Sequence, residues 1–507
     1  MGTNKQSTIT ILHTNDMHGN YMPFQTTADN ATSQTGDDGR DTLITFGKEA
    51  PIGGFAFLAG AVKTIREKKG ADKVLLLDGG DTFSDDQLGN LTEGEAMIRL
   101  MNKIGYQLMA LGNHDFDYGL ERTRELEQLA QFPMRAANIR MEDTGEPIFG
   151  DPFIIVEKEG VKLAILTLGY RNTPQTGNPE HMKGLQFSAG PEEVHRYIPE
   201  LQEQADIVIL LSHEGKAVDE LIAREIRGID LIIGGHSHSL IAPPQKVRDT
   251  YIVQAMADAA VLGETELIIS GKKLVGVKAN YHLLWHNEWK PDREVQQLIE
   301  ELRQPHLNKL EEKVAEVQGV IGRQYKSESP FDKLVANLLL EAYPADIALL
   351  PGVGYGISLK GRVNREAFYR LLPHPSKIVT LNMTGTQLKQ TLEQTAENLN
   401  PNNPLDAVGG LLQTSGLQYE MDLTKPVGQR ISHIRIADAP LDEARSYRVV
   451  THNGMLRGLH KYDSIGQGEN VNQTEQGLTD FVIEKLQEKQ ELGTPKNMGE
   501  VTIRRKD

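Results

Sequence analysis

The stretch Leu108-Met109-Ala110-Leu111-Gly112-Asn113-His114-Asp115-Phe116-Asp117-Tyr118-Gly119 runs from an apolar segment straight into an amide, an imidazole and two carboxylates. Short apolar runs bounded by turn-forming residues read as buried strands, so this strand ends where its chemistry begins. The same order recurs in residues 8–19, which carry Asp16 and His18, in 74–82 with Asp81, and in 231–239 with His236 and His238. Residues 207–215 add a lone His213. In an open α/β sheet the loops beyond the carboxyl ends of the strands gather in one crevice, so side chains distant in sequence meet there.

Outward from these segments, the first 290 residues alternate short apolar runs with amphipathic stretches, the pattern of an α/β domain. The clearest strands fall at 9–12, 74–77, 107–111, 207–211 and 231–233, and residues 24–51, rich in Thr, Asp, Gly, Asn and Gln, read as a long surface insertion. After Pro291, Val295, Leu298, Ile299 and Leu302 lie at helical spacing; Pro305 interrupts, and Leu307, Leu310 and Val314 resume. The pattern predicts a domain over 1–290, a helical linker over 291–319 and a second α/β domain over 320–507. In the latter, strands are expected at 346–350, 378–383, 431–436 and 447–450, and helices at 364–372, 386–399 and 474–486.

With 507 residues, 39% hydrophobic and 24% charged, the composition excludes a disordered or collagen-like chain. Fifty-four basic against seventy acidic side chains leave a net charge of −16, which argues against a duplex nucleic acid as partner. A small phosphate ester stays open, because a metal ion supplies cationic charge that no residue count records. The absence of cysteine removes thiolate metal sites, thiol catalysis and disulfides. No run of eighteen apolar residues predicts a membrane span, and residues 1–6 have no apolar signal core. A cytoplasmic location is expected, or a secreted or periplasmic one if a signal peptide has been removed; no pattern speaks to the oligomeric state.

Asp, Asn and His together form a mixed oxygen and nitrogen donor set. It suits Mn, Fe, Co or Zn better than Ca, which takes oxygen alone, or a structural zinc, which favours thiolates. Two such ions, about 3.5–4 Å apart, share a bridging ligand and keep open positions for water and substrate. Other histidines read as structural: His13 lies within a strand, and His282 and His286, four apart, fall on a strand where that spacing does not make a helical ligand pair. The run Gly352-Val353-Gly354-Tyr355-Gly356 lacks both the glycine spacing and the lysine of phosphate-binding loops and reads as a tight turn.

Asp16-Met17-His18, Gly80-Asp81, Gly112-Asn113-His114-Asp115, His213 and Gly235-His236-Ser237-His238 occur in the order and approximate spacing of the calcineurin-like metallophosphoesterases. With the fuller blocks Leu12-His13-Thr14-Asn15-Asp16-Met17-His18-Gly19 and Gly112 to Gly119, the chain resembles the 5′-nucleotidase/2′,3′-cyclic phosphodiesterase family. The resemblance implies a four-layer α/β/β/α metallophosphoesterase sandwich plus a smaller C-terminal α/β domain of 5′-nucleotidase type that binds substrate. It implies two divalent metal ions, Mn, Zn, Fe or Co, with Asp16, His18 and His238 at one, Asn113, His213 and His236 at the other, and Asp81 bridging. His114 would face the phosphoryl group as a catalytic residue and Asp117 would orient it. The implied reaction is hydrolysis of nucleotides or related phosphate esters by in-line attack of a metal-bound hydroxide.

The second domain departs from the family. Gly356 falls about where an arginine is usual, and Gly458-Leu459-His460-Lys461-Tyr462 replaces a glycine-rich aromatic loop. Tyr355 and Tyr462 are the aromatic side chains there able to stack on a base, which makes them the candidate substrate-binding residues. The rival readings are the same centre acting on a non-nucleotide phosphate or pyrophosphate ester, or even a sulfate conjugate, and a binding or regulatory protein with a vestigial metal site. A vestigial site would not need His114 and Asp117.

Overall fold

In the strand Gln6–Thr14, Ile9 and Ile11 point to one side and Thr10 and Leu12 to the other, yet all four are buried. A strand covered on both faces belongs inside a layered α/β structure. The computed structural model, which describes residues 6–26, 48–83, 86–353, 356–489 and 491–505, places it centrally in an eight-stranded sheet. Gln6–Thr14 runs parallel to Val74–Asp78, which is parallel in turn to Leu108–Ala110, and on its other side pairs antiparallel with Val261–Ser270. A six-stranded sheet stacks on it, its centre formed by the parallel strands Val161–Leu168, Ile207–Ser212 and Leu231–Ile233. Ile9, Ile11, Leu75, Leu77 and Leu108 of the first sheet meet Ile165, Ile209, Leu211 and Ile233 of the second in one apolar core. Helices Gly190–Gln204 and Lys216–Glu225 pack on the second sheet, while Phe55–Lys69, Glu95–Ile104 and Arg293–Arg303 pack on one another beside the first. The layers are α/β/β/α.

Two compact units divide the chain: Met1–Gln25 with Ala50–Leu307, and Thr26–Glu49 with Asn308–Asp507. In the second, the strand Ile347–Leu350 alternates cleanly. Ala348 and Leu350 face a cluster with Val335, Leu339 and Phe481 of the helices Pro330–Ala342 and Leu478–Lys489, and Ile347 and Leu349 face another with Leu388 and Leu392 of Gly385–Leu399. This is a sheet with helices on both faces, the expected smaller α/β domain. Among the described residues, no helix is long and apolar enough to cross a membrane.

Some expectations for elements fail. Val314, read as continuing the helical segment, lies in the strand Lys313–Ile321, because Val314, Ala315, Val317 and Ile321 find a buried place in a sheet beside Leu359–Asn364. The helix Arg293–Arg303 forms as the spacing predicts, capped by the Asp292 carboxylate, but packs within the first unit. The helix expected from 474 begins only at Leu478. Residues before it belong to Glu469–Gly477, an exposed edge strand whose polar sequence pairs through its backbone with Lys377–Thr384. Of the expected insertion, Phe24–Gln25 and Pro51–Ile52 pair with each other; 27–47 lie outside the described residues.

Candidate active site

Each strand of the central layer hands its chemistry to the loop just past its carboxyl end. Beyond Thr14 and Asp78, the two parallel chains stay side by side: Asp16 N donates to Gly80 O at 2.8 Å, and His18 N to Asp81 O at 2.9 Å. Gly112 follows Leu108–Ala110 and needs its missing side chain, since a Cβ there would stand 2.1 Å from Asp81 Oδ1. Close packing of this kind lets residues from five loops converge.

They form two clusters. Asp16, His18 and His238 offer ligand atoms within 4.8 Å of one another, and so do Asp81, His213 and His236. In the first, the Nε2 atoms of His18 and His238 face each other at 3.1 Å, and His238 Nε2 lies 3.2 Å from Asp16 Oδ1. In the second, His213 Nε2 lies 3.1 Å from Asp81 Oδ2. Its other nitrogen, Nδ1, sits 2.6 Å from Gly79 O, which only accepts, so Nδ1 carries a hydrogen and Nε2 is the nitrogen turned to the carboxylate. Such a pair is satisfied by a proton on Nε2 or by a metal ion held between the two atoms. Asn113 Oδ1, buried without a hydrogen-bond partner, is a further acceptor awaiting one. The donor set fits divalent metal ions.

Electrostatics agree. Burial pushes Asp16 up, but His238 and His213 hold it at about 2, and His213 and His114 outweigh burial to hold Asp81 well below the carboxylate range. Burial lowers His213, yet Asp81 and Asp16 raise it to about 10. Without metal, the site takes up a proton where it would hold a cation.

His114 stands beside these clusters. Its backbone N–H donates to Asp81 Oδ1 at 2.7 Å, its ring lies 5.5 Å from that of His18, and its Nδ1 is 2.9 Å from Asp117 Oδ2. A carboxylate at Nδ1 fixes the imidazole so that Nε2 is the working nitrogen.

The reading from sequence missed three supports. Asn15 donates to Asp16 Oδ2 and Met256 O, both at 2.6 Å, and accepts from Ala255 N. Tyr170 stacks on His236 with ring centroids 3.8 Å apart, from the loop after Val161–Leu168, one more strand end of the same kind. Asp115 binds three backbone N–H groups, although its sequence block had singled it out. The structural readings of other histidines agree with what is seen: His13 meets Thr265 Oγ1, His282 meets Glu264, and His286 meets Gly53 O. Tyr462 is a correction: at 1% exposure it lies in the apolar cluster with Leu388 and Leu392 and presents no stacking face. Tyr355 lies outside the described residues.

Residues 9–240 match the calcineurin-like phosphoesterases, and 311–467 match the 5′-nucleotidase C-terminal domain. The chain thus carries a calcineurin-like phosphoesterase domain followed by a 5′-nucleotidase C-terminal domain. This phosphoesterase is similar to the protein UshA of Yersinia enterocolitica, 26% identical over 513 residues that cover 90% of this chain and 86% of the relative. Its fold is that of a 5′-nucleotidase precursor from Thermus thermophilus, with a TM-score of 0.87, 24% identity and coverage of 99% and 100% of the two chains. The fold is shared equally with the sulfate thiohydrolase SoxB of the same organism, with a TM-score of 0.88, 24% identity and coverage of 98% and 97%. The phosphoesterase is therefore a hydrolase of a family that uses divalent metals.

Proposed function

We propose that this phosphoesterase hydrolyses nucleotide phosphate esters at a dinuclear centre, with Asp16, His18 and His238 at one ion, Asn113, His213 and His236 at the other, and Asp81 shared. The observation that carries the reading is the convergence of Asp16, His18 and His238, and of Asp81, His213 and His236, in two groups whose ligand atoms lie within 4.8 Å of one another. When bound, divalent ions at such a centre activate water and offset charge on the phosphoryl oxygens. The chain's own share is orientation and proton transfer. His114, 12% exposed and aimed by Asp117, holds a proton at Nε2 for the leaving alkoxide. Asp117 accepts from Nδ1–H and so turns Nε2 outward; the form that donates is the imidazolium, which carries a hydrogen on both nitrogens.

Support for the nucleoside part of the substrate comes from the match to the 5′-nucleotidase C-terminal domain and from relatives named 5′-nucleotidase, not from an aromatic clamp, since Tyr462 is buried. The test is turnover of a panel: AMP, ribose 5-phosphate, a 2′,3′-cyclic nucleotide, a dinucleotide and a nitrophenyl ester, each with Mn, Zn or Co. Preferred turnover of AMP or the cyclic nucleotide is expected. Equal kcat/KM for AMP and ribose 5-phosphate would move the reading to a non-nucleotide ester, and no turnover at all would favour a binding protein.

A further inference from the structure

Asp81 sits in a left-handed backbone conformation, φ +56°, directly after Gly80 at φ +94°. A non-glycine residue stays there only when its surroundings hold it. What holds it is a pair of fully buried carboxylates. Asp115 Oδ2 accepts from Asp81 N at 2.9 Å and from Gly112 N at 2.7 Å, and its Oδ1 accepts from Thr82 N at 3.0 Å. Asp78 Oδ1 accepts from Gly80 N at 3.0 Å and Thr82 Oγ1 at 2.5 Å, while its Oδ2 accepts from Thr14 Oγ1 at 2.6 Å. The Thr14 hydroxyl also meets Tyr106 OH at 2.8 Å. Asp115 joins two loops, the one that carries Asp81 and the one that leads through Gly112 into Asn113.

We propose that Asp115 is a positioning residue that clasps the Asp81 and Asn113 loops at their working separation and thereby sets the metal affinity of the centre. The inference rests on the reading of Asp81 and Asn113 as ligands. Its partners are all backbone N–H groups, which cannot reverse direction. An asparagine in its place has one accepting oxygen and one donating amide, so whichever way it is turned a donor faces a buried donor. Asp78 differs. Two of its three partners are hydroxyls, which rotate, so an asparagine with its oxygen toward Gly80 finds Thr14 ready to accept instead of donate. The two carboxylates thus share charge and burial but not replaceability.

The test compares Asp115→Asn, Asp78→Asn and Asp81→Asn in the full chain by titrating Mn²⁺ into the folded apoprotein, with the fold checked by circular dichroism. For Asp115→Asn, a loss of about 10–100-fold in Mn²⁺ affinity is expected, the range seen when groups supporting metal ligands are removed. The kcat for a nitrophenyl ester at saturating Mn²⁺ should fall while its KM changes by less than about twofold. Asp78→Asn should lose roughly threefold or less. Equal losses in the two variants would mean that only charge matters, and an unchanged Asp115→Asn would mean that no clasp exists; either overturns the proposal. A full metal complement in Asp81→Asn would instead overturn the ligand reading. Should Asp115→Asn fail to fold, Asp115→Glu keeps the charge and shifts the oxygens by one methylene. Wild-type Mn²⁺ affinity in that variant also overturns the clasp.

Discussion

His114 is held through its backbone N–H on Asp81 and through its ring nitrogen on Asp117. Its imidazole lies outside the clusters Asp16, His18, His238 and Asp81, His213, His236, so His114→Asn should retain the metals proposed there and lower kcat by about 10²–10⁴. The loss should be smaller for a nitrophenyl ester, whose leaving group needs little protonation; equal losses for nitrophenyl and alkyl esters would exclude proton donation. Two other histidines contribute to acid stability. Burial lowers His13 to about 4, and burial with His374 and Arg457 lowers His452 to about 4. Both are neutral in the folded protein but take up protons near the ordinary value of 6.5 when unfolded. Their contribution is therefore complete above the unfolded value and lost as pH falls toward the folded one, by roughly 3 kcal/mol each at the limit. Melting curves from about pH 7 to about pH 4 should show a shallower decline for His13→Gln than for wild type, and parallel slopes would refute the assignment.

At the scale of elements, the site is made by strand ends, and the loops that follow them leave no slack. Gly112→Ala would force a methyl against Asp81 Oδ1, so elemental analysis should find metal lost from a protein whose far-ultraviolet circular dichroism is unchanged. Retention of a full metal complement would show that the Asp81 loop gives way. Strand ends were legible in the sequence because apolar runs stop abruptly at ligand residues, as Leu108 to Asn113 does. Glu469–Gly477 was not legible: an exposed edge strand has no buried face to impress a period on its residues, and its Gln and Glu read as helix. Val314 failed for the opposite reason, being one apolar residue that fits a helical and a strand spacing alike. Tyr462 failed because a glycine-bounded loop reads as exposed, whereas this one folds its aromatic ring into the core.

For the whole molecule, the clusters Asp16, His18, His238 and Asp81, His213, His236 lie in the unit built from Met1–Gln25 and Ala50–Leu307. Ions that bind only the folded form stabilise it by about 2.7 kcal/mol at one hundred times their dissociation constant. Calorimetry with and without chelator should therefore resolve two transitions, of which one moves. Two transitions that shift together, or one that never splits, would show that the units do not unfold independently. The residues proposed as ligands could be read in the sequence as types and order; the backbone that aims them could not. Asp16, His18, Asp81, His236 and His238 all adopt left-handed conformations, with φ between 46° and 65°. Glycine would relieve each position at the expense of the side chain that matters there. A protein engineer who transplanted these side chains onto another α/β scaffold, matching every Cβ position, would therefore carry over the donors without the handedness that points them inward. The smallest transferable unit is the loop with the strand beneath it and the buried carboxylates beside it.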